Sequence, residues 1–271
     1  MDYKITPRSP IGIFDSGIGG LTVAKSLFKL LPNENIIYLG DSARLPYGTK
    51  SKETVILYSI ECLKFLLKQK VKLIVIACNT SSAISVPFLR KITKIPIIGV
   101  IEPGAYAATL SSKSGKIGVI GTRATINSGA YEKEIKKLNK KSKVYPKSCS
   151  MFVQLAEDGW TDNKVAKLTA KEYLTDLKKS SIDTLIMGCT HYPILRNTIQ
   201  ETVGKKIQLI DPGEETAKEA QRILEDNSLL NPQKKNGYHK FFVTDYPVNF
   251  KQISERFLGK KIKEVKKVKL T

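Results

Sequence analysis

Histidine is nearly absent from this 271-residue chain: His191 and His239 are the only two, beside four cysteines, three methionines and one tryptophan. With no Cys-x-x-Cys pair and so few imidazoles, a zinc site built from Cys and His has little to draw on. Cys62, Cys78, Cys149 and Cys189 are too few for a disulfide framework at this length and read as thiols in a reducing compartment. No apolar run approaches the length of a bilayer span. Residues 1–7 lack the apolar block and cleavage site of a signal peptide, so a soluble, cytoplasmic protein with no membrane partner is expected. Acidic residues are scarce as well: 25 Asp and Glu against 45 Lys and Arg leave a formal net charge of +20. Lysine pairs such as Lys136-Lys137 and Lys260-Lys261 fall at the ends and outer faces of expected helices, with no interleaved aromatics. A solvated basic surface is therefore expected in place of a nucleic-acid groove.

What is present is alternation. Short aliphatic runs predict strands over 11–15, 35–40, 73–77, 97–101, 116–121, 143–145, 184–188 and 208–210. Amphipathic stretches between them predict helices over 21–31, 53–69, 130–139 and 165–179. In the second of these, Val55, Ile56, Ile60, Leu63 and Leu67 recur at helical spacing, and Cys62 beside them reads as a packed core thiol. Such alternation predicts the α/β class with mainly parallel sheets. A break is expected at Glu102-Pro103-Gly104, because the run beginning at Ile117 resembles the one beginning at Ile11, as though a second unit restarts. A second α/β unit is therefore expected to begin there. The polar stretch 226–236 reads as a loop, and the tail carries a strand over 239–244 and a helix over 248–258.

Two cysteines occupy matching places. Cys78 closes the run Leu73-Ile74-Val75-Ile76-Ala77 and precedes Asn79-Thr80; Cys189 closes Leu185-Ile186-Met187-Gly188 and precedes Thr190-His191. Ligands of parallel sheets bind at the carboxyl ends of the strands, where both thiols would lie. Two thiols from opposite halves can face one carbon from both sides, which suits removing a proton from one face and delivering one to the other. A helix N-terminus after each cysteine is expected to lower its pKa. His191 stands close enough in sequence to relay a proton for Cys189. The segment Asp15-Ser16-Gly17-Ile18-Gly19-Gly20-Leu21-Thr22 follows a strand and opens a helix. It is no dinucleotide fingerprint, since Thr22 stands where the third glycine belongs, and no P-loop lysine follows. Tyr47 and Gly48 in the next strand-to-helix turn can offer a hydroxyl and a backbone amide to a carboxylate.

Asp15-Ser16-Gly17-Ile18-Gly19-Gly20, Pro46-Tyr47-Gly48, Ala77-Cys78-Asn79-Thr80 and Gly188-Cys189-Thr190-His191-Tyr192-Pro193 resemble the signature segments of the glutamate racemase family, in order and over nearly the whole chain. The resemblance implies two α/β domains, 1–101 plus 211–271 and 102–210, with the active site in the cleft between them, and cofactor-independent interconversion of L- and D-glutamate, supplying D-glutamate for peptidoglycan. It implies Cys78 and Cys189 as the two acid/base residues, Cys189 acting on L-glutamate and Cys78 on D-glutamate, assisted by His191 and Asp15 respectively. Asp15, Ser16, Tyr47, Gly48, Asn79, Thr80, Thr190 and His191 are implied as substrate-binding, and Glu157 as an acidic residue near the site. The residues around Glu157 depart from the family pattern, as does Thr244-Asp245-Tyr246-Pro247. A homodimer is compatible with the sequence.

Three other readings remain open at this stage. An aspartate racemase shares the two-cysteine logic, although His191 stands where that relative is expected to carry an acidic residue. A non-catalytic basic binding protein leaves the matched cysteines unexplained. A cysteine hydrolase needs only one nucleophile and one base.

Overall fold

The computed structural model describes residues 3–270. Ten strands form two sheets: β1 (Ile11–Asp15), β2 (Ile36–Gly40), β3 (Leu73–Ile76), β4 (Ile97–Gly99), β5 (Lys116–Gly121), β6 (Lys143–Ser148), β7 (Thr184–Gly188), β8 (Gln208–Ile210), β9 (His239–Val243) and β10 (Lys266–Lys267). The first sheet runs β10-β9-β2-β1-β3-β4 and the second β6-β5-β7-β8. Every pairing is parallel. The aliphatic runs explain this: β1, β2, β3 and β7 are buried along their whole length, as strands covered on both faces must be.

Strand centres fall where the aliphatic runs predict them. The ends move by one or two residues, and β6 extends three residues beyond the expected stretch, to Ser148. At Glu102-Pro103-Gly104, where a second unit is expected to begin, a helix, Ile101–Ser111, runs through the segment and carries the chain from β4 in one sheet to β5 in the other. Pro103 lies in that helix's first turn, where its missing N–H has no intrahelical partner to lose. Gly104 is needed there because an added Cβ would sit 3.0 Å from Pro212. The short strand β10 within the basic end is a second departure; two lysines carry no aliphatic signal, and backbone pairing to β9 alone defines them.

The tail returns to the first sheet. β9 pairs with β2 from Ile36↔His239 to Gly40↔Val243, and the helix Pro247–Leu258 buries Phe250, Phe257 and Leu258. One apolar cluster joins the two sheets, taking in Ile13, Tyr38 and Val75 from the first and Ile120, Leu185 and Met187 from the second. Cys62 is fully buried in a separate cluster with Leu63, Leu66 and Ile74, the packed thiol its position predicts. Among the described residues no helix is long and apolar enough to cross a membrane. Five lysines (240, 260, 261, 263 and 266) gather around a groove of about 670 Å³ between β9 and the end of the chain, so the basic surface is less evenly spread than the sequence suggests.

One polar contact is wholly interior. The Lys72 ammonium lies 2.5 Å from the Glu34 carboxylate, with both side chains nearly inaccessible. It also donates to the carbonyls of Pro7 and Leu229, while Glu34 accepts from the Asn231 backbone. Four separate stretches of chain thus meet at one ion pair. Removing one member strands a buried charge, which costs far more than the pair contributes net. Lys72→Ala should therefore lose about 3–5 kcal/mol of unfolding free energy in a urea titration, and Lys72→Ala with Glu34→Ala together should lose less than that single change.

Candidate active site

Each strand that contributes to the site does so at its carboxyl end. The turn after β1 brings Ser16 and Gly17, the turn after β2 brings Leu45 to Thr49, and the helix after β3 brings Cys78, Asn79 and Thr80. From the second sheet come Thr122 after β5, Ser150, Val153, Gln154 and Glu157 after β6, and Cys189, Thr190 and His191 after β7. Together they line one cavity of about 250 Å³, small enough to select an amino acid over a larger ligand. The two sulfurs therefore share a single chamber, one contributed by each sheet.

The Cys78 side is built on a helix start. Cys78 is the N-cap of the helix Asn79–Leu89; its Sγ accepts from the Ser81 backbone at 3.5 Å and lies 3.6 Å from Ser16 Oγ. The expected fall in its pKa does not occur. Burial, reinforced by the nearby Asp15 charge and by Cys189, outweighs the hydrogen bonds from Ser81 and Ser16 and pushes the thiol up to about 12. Cys78 is thus a protonated thiol at neutral pH in this state.

On the Cys189 side an imidazole bridges the thiol and a carboxylate. Cys189 Sγ lies 3.8 Å from His191 Nδ1, and His191 Nε2 lies 2.8 Å from Glu157 Oε1. Burial alone would push the imidazole down, but its contacts with Cys189 and Glu157 win and raise it to about 10. Phe257 packs edge-on against the ring, with centroids 5.4 Å apart. The Arg256 guanidinium donates to the carbonyl of Glu157 at the end of its helix, fixing the carboxylate's base.

Asp15 differs from expectation. Its side chain is fully buried and does not line the cavity; Oδ2 accepts from Gly17 N at 2.9 Å, while Oδ1 has no hydrogen-bond partner. Desolvation raises its pKa, against the opposing pull of His191 and the backbone amides of Gly17 and Gly20. It reaches Cys78 through its field, with no hydrogen bond to the sulfur. The Tyr47 hydroxyl is also spoken for: it donates to Asp41 Oδ2, so the ring and not the phenol faces the chamber. Burial raises that phenol's pKa far above its usual value. Gly48 packs where an added Cβ would stand 2.8 Å from Thr122.

Ser150, Val153 and Gln154 line the cavity but carry no signal of their own in the sequence. Thr122 belongs to the segment Ile120-Gly121-Thr122, which also fits the family pattern, and is the first residue after β5, as Ser16 is after β1. Its hydroxyl joins a triad with Thr80, at 2.9 Å, and Thr125, at 3.0 Å. Among the described residues, no group of three or more His, Cys, Asp or Glu side chains could hold a metal ion.

The family model for Asp/Glu/Hydantoin racemase matches residues 11–220. A glutamate racemase from Geobacter metallireducens is 51% identical over 264 residues, covering 97% of this chain and 98% of that protein. This chain belongs to the glutamate racemases of that family. Another member, from Sulfurihydrogenibium, is 49% identical over 92% of this chain and 94% of its own length. Among solved structures, the Francisella tularensis family member in complex with D-glutamate superposes with a TM-score of 0.92 at 44% identity, covering 97% of this chain and 98% of that one. A Bacillus anthracis isoform gives 0.94 at 42% identity over the same shares. An aspartate racemase from Picrophilus torridus shares the fold at a TM-score of 0.60 and 18% identity.

The raised His191 pKa has a measurable sign. Because the folded value lies above the ordinary histidine value of 6.5, protonated His191 adds stability that is complete below about pH 6.5 and vanishes as pH climbs through about 10. Following the ring protons of His191 by NMR should give a midpoint near 10. Glu157→Gln should move it down, since the neutral amide removes the facing charge; an unmoved midpoint would break the relay.

Proposed function

We infer that this chain is a glutamate racemase that interconverts L- and D-glutamate through two cysteines without a cofactor. The observation that carries the reading is the single chamber holding Cys78 and Cys189, one delivered by each sheet, in a chain 51% identical to a glutamate racemase. The domains we assign are 1–101 with 211–271 around Cys78, and 102–210 around Cys189. Residues 212–226 form a helix that packs against both sheets' helices and serves as the seam.

In the direction from L- to D-glutamate, Cys189 takes the α-proton and Cys78 returns one to the opposite face. The protonated state of Cys78 suits the donor's part in this half of the cycle. His191, as the basic group touching Cys189, relays protons between that sulfur and Glu157. In the reverse direction the thiols exchange parts, and Asp15 modulates Cys78 through its charge. The α-hydrogen is far less acidic than a thiol, so developing charge on the carboxylate must be met by fixed donors in a dry site. Ser16, Asn79, Thr80 and Thr190, with the Gly48 amide and the ring of Tyr47 shaping the wall, are the groups placed for that work. D-glutamate made this way is a cytoplasmic precursor of peptidoglycan. His191, where an acidic residue is expected in the aspartate enzymes, favours the longer substrate; activity on aspartate alone would reverse that assignment.

Racemisation in D2O should place deuterium at Cα of the product, survive EDTA and need no pyridoxal phosphate. Cys78→Ala and Cys189→Ala should each remove interconversion, by at least the factor of 10²–10⁴ typical of a lost acid or base. Mass spectrometry and circular dichroism read the two outcomes, and full turnover in either variant defeats the two-base scheme.

A further inference from the structure

Each cysteine-bearing turn is held by a side chain from the other half of the molecule. Tyr131 lies on the helix Ala130–Leu138 beside the second sheet, fully enclosed, yet its hydroxyl donates to Asn79 Oδ1 at 2.7 Å. Asn79 directly follows Cys78 and lines the chamber. Donation to the amide oxygen fixes which way the carboxamide points and leaves its NH2 as the group free to donate elsewhere. The reciprocal contact lies on the opposite side. Thr22, on the helix Leu21–Leu30 of the first half, donates to the Thr190 carbonyl at 2.9 Å, sharing its hydrogen with the Gly19 carbonyl at 3.0 Å. Thr190 directly follows Cys189. Gly19 approaches so closely that an added Cβ would collide with Thr190 and His191.

We propose that Tyr131 and Thr22 are reciprocal positioning residues, each setting the placement of the thiol-bearing turn in the opposite half. Neither lines the chamber, so neither acts on substrate directly. A buried hydrogen bond that orients a neighbouring donor is costly to lose, because the group it leaves behind goes unpartnered. The proposal rests on the two-cysteine reading and predicts something that reading does not: selective control of one proton transfer at a time.

Racemisation through a carbanion crosses two barriers, one at Cys78 and one at Cys189. Deuterium at Cα of D-glutamate crosses the Cys78 barrier, and deuterium at Cα of L-glutamate crosses the Cys189 barrier. Enantiomers have equal free energy, so raising either barrier lowers kcat/KM equally in both directions, while the isotope effects move apart. Tyr131→Phe should lower kcat/KM about tenfold, the equivalent of one buried hydrogen bond. The isotope effect on kcat/KM should rise with [2-2H]-D-glutamate and fall toward unity with [2-2H]-L-glutamate. Thr22→Val should give the opposite pattern. In an Asn79→Ala background, Tyr131→Phe should add no further loss. Isotope effects that move together, or stay still, in a folded variant would overturn the proposal, as would additive losses with Asn79→Ala. If Tyr131→Phe fails to fold, the Thr22→Val arm decides alone. Retained racemisation in Cys78→Ala or Cys189→Ala would instead defeat the underlying two-base reading.

Discussion

Everything in this molecule serves to hold two sulfur atoms, fixed to different sheets, against one small chamber. Cys78 follows β3 and Cys189 follows β7, and those two strands never pair. Their relative placement depends on what crosses between the halves: the shared apolar cluster, the Tyr131–Asn79 bond, the Thr22–Thr190 bond and the hydroxyl triad of Thr80, Thr122 and Thr125. Most of these contacts lie within two residues of Cys78 or Cys189. The interface between the halves and the reactive chamber are therefore the same region of the protein.

The two sides of the chamber are electrostatically unlike. Around Cys78, burial and a neighbouring carboxylate favour the thiol. Around Cys189, an imidazole with a carboxylate behind it offers a path for a proton. In the proposed two-base scheme the thiols exchange parts every turnover, so this asymmetry describes one protonation state of that cycle. Asp15, buried with one oxygen unpartnered, is a poised charge whose influence on Cys78 changes with its own protonation.

Much of this was legible from residues alone. Strand centres and the two cysteine turns followed from aliphatic runs bounded by polar residues, because both-face burial leaves that mark in sequence. The helix through Glu102-Pro103-Gly104 was not legible, since a proline and glycine there read as punctuation until the first-turn position of Pro103 is known. Asn79 could be placed in the chamber, but Tyr131, 52 residues away, could not be assigned to it. Such pairs depend on how two halves dock, and no local pattern encodes that. Glu157 carried a weak sequence pattern yet sits 2.8 Å from His191, because what matters for a relay is one carboxylate in reach and not the residues flanking it. Tyr47 shows the converse: the residue was found and its hydroxyl's partner was not.

The pairing of β2 with β9 has a bearing on biosynthesis. One edge of β2 finds its hydrogen-bonding partner only in residues 239–243, and a backbone amide cannot bond to a strand not yet translated. While the ribosome works through the intervening six strands, β3 to β8, β2 presents an open, aliphatic edge, the type of surface that invites intermolecular strand addition. Nascent chains stalled before the tail emerges should therefore be clients of chaperones, whatever the solubility of the finished protein.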